Sequence, residues 1–172
     1  MRYRAVLWLA VIHICLLMMY VGGAVFETFV NFPNWVRDVP SSLEAARDYF
    51  VVRNPGHFFQ TIFPLTILSL IALLAVAWRF KRQRNLLLAA LALMAAVEAG
   101  TISLMYPKID VLLREGTASH SVEELRKTGE SFVQFNYVRM ALVFLLSFGL
   151  VVPAATALIQ LSGAGNVPGV KT

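Results

Sequence analysis

One cysteine, Cys15, stands in a chain of 172 residues. No intrachain disulfide can form, and thiol–disulfide exchange would need a second protein, which disfavours quinone-linked disulfide-forming membrane enzymes. Cys15 lies inside an apolar run and is expected to be a small buried filler. Charge is scarce as well: Asp, Glu, Lys and Arg make up 15% of the chain against 58% hydrophobic residues, outside the usual range of a soluble domain. No internal repeat runs along the sequence. It also has no Walker-type phosphate loop and no paired Glu-x-x-His, the motif of di-iron bundles.

What is abundant is apolar length. Four runs, approximately residues 5–29, 58–80, 86–106 and 138–161, each hold the about 20 residues that a helix needs to cross the hydrocarbon core. The expected fold is all-α, an integral membrane four-helix bundle in one domain spanning 1–161. The start, Met1-Arg2-Tyr3-Arg4 before an apolar stretch, has the layout of a signal peptide, with Gly22-Gly23-Ala24 as its small-residue region. The run is longer than a signal core, so the first span is expected to be retained.

The net charge of +5 is unevenly placed. Arg2 and Arg4 precede the first span, and Arg79, Lys81, Arg82 and Arg84 lie between the second and third. The other two loops mix signs: Asp38, Glu44, Arg47 and Asp48 in one, Glu115, Glu123, Glu124, Arg126 and Lys127 in the other. The positive-inside rule then puts both termini and the basic turn in the cytoplasm, in what is expected to be a bacterial inner membrane. These cations serve to anchor lipid headgroups, so the bilayer is the expected partner and nucleic acid is not.

Local signals refine the layout. Ser41 with Glu44, and Ser121 with Glu124, have capping-box spacing and predict helix starts outside the membrane. Asn54 and Pro55 predict the start of the second span. Pro64 and Pro153 are expected to bend their helices, and Pro107 to kink or end the third. Ala92, Ala96 and Gly100 make a small-residue line on span three where another helix can approach closely. Helices three and four are expected to extend beyond the outer surface, the fourth running from about 121 to 161. The tail, 162–172, is expected to be a disordered cytoplasmic segment.

Few ionisable residues accompany the spans. Glu27, His57, Glu98 and Arg139 all fall in the outer half by count from the cytoplasmic side. His13, Tyr20 and Glu27 recur every seven residues and share a helix face. His57, Gln60, Thr61 and Pro64 share one on span two, Glu98, Thr101 and Met105 on span three, and Asn136, Arg139 and Met140 on span four. Turning such faces to lipid costs a few kcal/mol per charge, so they are expected to point inward around a polar pocket. Within it, Glu98, His57 and Arg139 are the candidates for chemistry, and Gln60, Asn136, Tyr20 and Tyr137 for substrate contact. Glu27, His57 and Glu98 are the ligand types of a non-haem metal ion. The cofactorless alternative has Glu98 or His57 take a proton while Arg139 stabilises the anion. The bland alternative is that Glu98 and Arg139 pair structurally across two helices. His13 reads as a satisfied interior histidine. His13 and His57 lie at different depths, which disfavours haem.

Three segments carry a resemblance: Gly22-Gly23-Ala24-Val25-Phe26-Glu27 running into Asn31-Phe32-Pro33-Asn34-Trp35, then Val52-Arg53-Asn54-Pro55-Gly56-His57-Phe58-Phe59, and Asn136-Tyr137-Val138-Arg139-Met140. With the four-span layout they resemble a broad family of small bacterial membrane proteins of unknown function. That family is similar in turn to the fungal anthrone oxygenases, which oxidise a polyketide anthrone to an anthraquinone. The resemblance implies an oxygenase but carries over no site residue. The leading expectation is thus a membrane-embedded oxidoreductase, oxygenase-like, acting on a small lipophilic aromatic or quinol-type substrate. The alternative is a non-enzymatic accessory or assembly subunit of a membrane complex, with the buried charges structural; a homodimer or a partner membrane subunit is the expected protein partner. Transport is disfavoured, since four spans without a repeat give too little structure for alternating access.

Overall fold

A computed structural model describes residues 3–164. Five helices account for most of them: α1 Tyr3–Trp35, α2 Ser41–Tyr49, α3 Pro55–Ala77, α4 Lys81–Ala118 and α5 Val122–Gly163. All but α2 are long and apolar enough to cross a membrane, and no strand occurs among the described residues. The chain is an all-α integral membrane protein. At about 1.5 Å per residue, α4 and α5 run to about 57 and 63 Å against a hydrocarbon core of about 30 Å, so both project beyond it. Of the expected tail, 162–164 are helical and 165–172 lie outside the described residues.

The prolines explain much of the helix geometry. Pro33, Pro107 and Pro153 each follow by two residues the end of a π-helical stretch: Glu27–Asn31, Thr101–Met105 and Leu145–Val151. Proline lacks an N–H and its ring crowds the carbonyl four residues back. A wider turn just upstream moves that carbonyl away, and the helix continues. Pro107 therefore neither ends nor interrupts the helical run of α4. Pro64 is accommodated without a π turn. The Ser121–Glu124 capping box forms: the Ser121 N–H donates to Glu124 Oε2 at 3.1 Å and the Glu124 N–H to Ser121 Oγ at 3.3 Å. The Ser41–Glu44 box does not. Pro40 occupies the cap position of α2, and it is Ser42 whose hydroxyl donates to the Trp35 carbonyl at 2.6 Å.

The chain divides into two compact units, each drawing on four long helices. Of the described residues, one holds 3–21, Gln60–Met94 and 144–164. Its interior is aliphatic, with Leu17, Leu70, Leu73, Leu87 and Leu158 fully buried. Into it are set His13 and Thr66, both fully buried, and Ser69. The Ser69 hydroxyl donates to the Thr66 carbonyl at 2.9 Å, so toward His13 Nδ1, 2.8 Å away, it acts as acceptor. That places the imidazole proton on Nδ1 and leaves Nε2 a bare lone pair, which has no partner among the described residues. Ser69→Ala strands the Nδ1–H and is expected to cost about 1–2 kcal/mol. His13→Leu combined with Ser69→Ala removes both partners and should cost less. Thermal unfolding in detergent compares them; a larger loss in the double variant would refute the assignment. Cys15 is exposed on α1, not buried, because it falls between the inward-facing positions His13 and Leu17.

The second unit holds Gly22–Phe59 and Ala95–Val143. Its core joins Phe32 and Trp35 of α1, Leu43 of α2, Met105 and Leu112 of α4, and Leu125 and Phe132 of α5. The Phe132 ring meets Phe32 edge-on at 4.7 Å and lies nearly parallel to Trp35 at 6.2 Å. Gly129 sits one turn earlier. A Cβ there would come within 2.6 Å of Val36 Cγ1, so only glycine lets α5 approach so closely. The helix pays no visible break for it, continuing through residue 129.

Candidate functional site

Within the second unit, the π stretch of α1 begins at Glu27. Such turns are over-represented at functional sites, because they shift the face that a helix presents. Glu27 is 4% exposed and Asn136 1%, too deep for either to be an interfacial surface group. Asn31, four residues on, donates its amide to Glu27 Oε1 at 2.7 Å. The other oxygen, Oε2, is buried and has no hydrogen-bond partner among the described residues. Thr28 donates to the Ala24 carbonyl at 2.6 Å and so accepts from Asn136 Nδ2 at 2.5 Å, tying α1 to α5. Asn136 Oδ1 has no partner among the described residues.

Arg139, one turn beyond Asn136, is half-buried. Its guanidinium carbon stands 5.9 Å from the centre of the Phe59 ring, a cation–π distance. It acts electrostatically on both Glu27 and Glu98, yet neither carboxylate closes an ion pair with it among the described residues, and its Nε is buried without a hydrogen-bond partner. One cation therefore serves two carboxylates at a distance. The arrangement leaves an unused acceptor on Glu27, another on Asn136 and an unused donor on Arg139.

Beside this cluster lies a cleft of about 250 Å³, lined by Gly23, Phe26, Glu27, Pro55, Phe58 and Phe59. It is apolar and aromatic except for one carboxylate. Such a lining holds a lipophilic molecule by its rings and orients it by one polar group.

The other sequence candidates fall elsewhere. Glu98 is half-buried and belongs to the cluster through Arg139, but does not line the cleft. His57, Gln60, Thr61 and Pro64 share a face of α3 as expected, but that face is exposed rather than inward. His57 lies in the first turn of α3, where its Nδ1 accepts the Asn54 N–H at 3.2 Å. A histidine at a helix start has a local partner within reach, which draws it away from the interior. Gln60 and Tyr20 belong to the first unit. Tyr20 is buried there beside Phe63, with ring centres 6.1 Å apart. Tyr137 is exposed and packs on Phe29 at 6.0 Å. Among the described residues no three His, Cys, Asp or Glu side chains come close enough to hold a metal ion. Glu27, His57 and Glu98 thus do not form the ligand set that their residue types allowed. Sequence reasoning gave no site role to Gly23, Thr28, Asn31 or the three phenylalanines of the cleft, although all but Thr28 lie in the segments that carry the resemblance. The four-residue step from Glu27 to Asn31 was a further legible signal.

Compared with known proteins, the chain matches no family model, no curated protein and no solved structure.

Proposed function

We propose that this chain is a membrane-embedded oxidoreductase of the oxygenase type, acting on a small lipophilic aromatic or quinol-type substrate. We place it in a bacterial inner membrane with both termini cytoplasmic, from the basic turn around Lys81. The supporting observation is the buried, half-used carboxylate of Glu27 on an aromatic cleft with Arg139 nearby. Glu27 is the proton acceptor, since of the candidate bases it alone lines the cleft. It takes a proton from an acidic O–H, or from a C–H flanked by rings and a carbonyl. Arg139 stabilises the resulting phenolate or enolate in a site of low dielectric. Such an anion is electron-rich enough to be oxidised by dioxygen. For an activated methylene, one oxygen atom becomes the new carbonyl, and the other leaves as water with the two methylene hydrogens. Dioxygen uptake by the detergent-purified protein tests this, with anthrone and a short-chain quinol as substrates. Uptake above a protein-free control is expected with one of them; none with either counts against the reading.

A second reading, an assembly subunit, draws on α4. Ala92 and Ala96 are exposed, and a Cβ added to Gly100 would meet nothing within 4 Å. Within the second unit, Ala96 and Gly100 leave a small-residue surface that a helix of a partner subunit fits. A stoichiometric partner on copurification favours it; an isolated monomer opposes it.

A further inference from the structure

Gly23 lies one turn before Glu27 on α1, and the Phe58 ring lies directly upon it. A Cβ built on Gly23 would stand 2.5 Å from Phe58 Cε1, closer than carbon atoms pack. Gly22, its neighbour, faces open space with nothing within 4 Å. Helical propensity is the same at both positions, so the close approach singles out Gly23. Phe58 and Phe26, which flank the cleft, are 40% and 53% exposed. Both lie on helices long and apolar enough to cross a membrane. The cleft is thus bordered by one partly exposed aromatic ring resting on a residue without a side chain.

We propose that this contact is a lateral door: a flat, neutral hydroxyarene leaves the bilayer, slides beneath the Phe58 ring over Gly23, and donates its hydroxyl to Glu27. The proposal rests on the reading of Glu27 as the acceptor in the cleft and names the ligand class and its route. Flatness follows from a slot walled by three phenylalanine rings and floored by glycine. A hydroxyl donor follows from Glu27 Oε2, which is buried and without a partner among the described residues. An acid is disfavoured because its carboxylate would face Glu27, and a cation because Arg139 stands 5.9 Å from Phe59 on the same wall. The volume of about 250 Å³ sits just below the range of about 300–1,000 Å³ typical of small-molecule sites, enough for two or three fused rings. Any longer tail stays in the lipid.

The test is equilibrium binding of tritiated 2-naphthol to the detergent-purified full chain, with unlabelled 2-naphthol and 2-methoxynaphthalene as competitors. Saturable binding is expected, with the methoxy compound at least tenfold weaker because it has no proton to donate. Glu27→Gln should weaken binding about tenfold. Gly23→Ala, which drives Phe58 off its seat, should change affinity at least fivefold, while Gly22→Ala leaves it unchanged. If Gly23→Ala fails to fold, Phe58→Ala removes the leaf of the door instead and should speed dissociation at least fivefold. Non-saturable partitioning, equal behaviour of the two glycine variants, or an unaffected Phe58→Ala off-rate overturns the door. The binding result is separate from turnover: binding as expected without dioxygen uptake overturns only the oxidoreductase reading, while uptake with Gly23→Ala and Phe58→Ala variants that bind and release 2-naphthol like the wild type overturns only this one.

Discussion

Glu27→Gln is expected to lower turnover by about 10²- to 10⁴-fold, the usual contribution of a positioned proton acceptor, while the protein stays folded. The amide has nearly the shape of the carboxylate. Its oxygen can keep the bond now made by Asn31 to Glu27 Oε1 at 2.7 Å. What disappears is the second oxygen, the buried acceptor without a partner. In its place stands an NH₂ group, which cannot take a proton. Glu98→Gln gives the contrast: Glu98 also feels Arg139 but does not line the cleft, so its loss should cost less than tenfold. Dioxygen uptake and thermal unfolding, measured on the same preparations, check both variants. A folded Glu27→Gln protein with unchanged turnover removes Glu27 from the chemistry, and a larger effect at Glu98 moves the base to α4.

Phe132→Ala is expected to destabilise the protein by about 3–5 kcal/mol, the cost of truncating a fully buried aromatic ring. The ring has no exposed surface and contacts Phe32 and Trp35 at once. These contacts hold α5 against the end of α1 in the turn before Asn136, whose bond to Thr28 joins the same two helices. Phe132→Leu keeps most of the volume and should cost about 1.5 kcal/mol or less. Val138→Ala, at a position 60% exposed, should stay within about 0.5 kcal/mol. Thermal unfolding in detergent ranks the three. A Phe132→Ala protein as stable as the Val138→Ala one would mean that this aromatic core does not hold the second unit together.

The helices and the buried carboxylate differ sharply in how readable they were. Apolar length is a one-dimensional property: α1, α4 and α5 contain the runs expected of them, and α3 covers all of its run but the last three residues, ending at Ala77. The seven-residue step of His13, Tyr20 and Glu27 correctly placed three buried side chains on α1, because helical periodicity sets direction along a single element. The Ser121–Glu124 cap was legible for the same reason, being closed within one turn. Periodicity failed for His57. It correctly grouped His57 with Gln60 and Pro64, but grouping does not say which way a face turns, and that face is exposed. The prolines were legible in part: proline signals a disturbed helix, and π turns ending two residues upstream of Pro33, Pro107 and Pro153 are that disturbance, but α4 continues past Pro107 instead of ending there.

Hydropathy and charge along the chain were sufficient to establish an all-α membrane protein with few interior polar groups, since transfer into lipid depends on composition over about 20 residues and not on contacts. Which of those groups meet depends on helix rotation and on close approaches such as Gly23 to Phe58 and Gly129 to Val36. These are distances between residues far apart in the chain, and no local pattern encodes them. For that reason Glu27, Arg139 and the aromatic cleft emerged as one site only when the helices were packed.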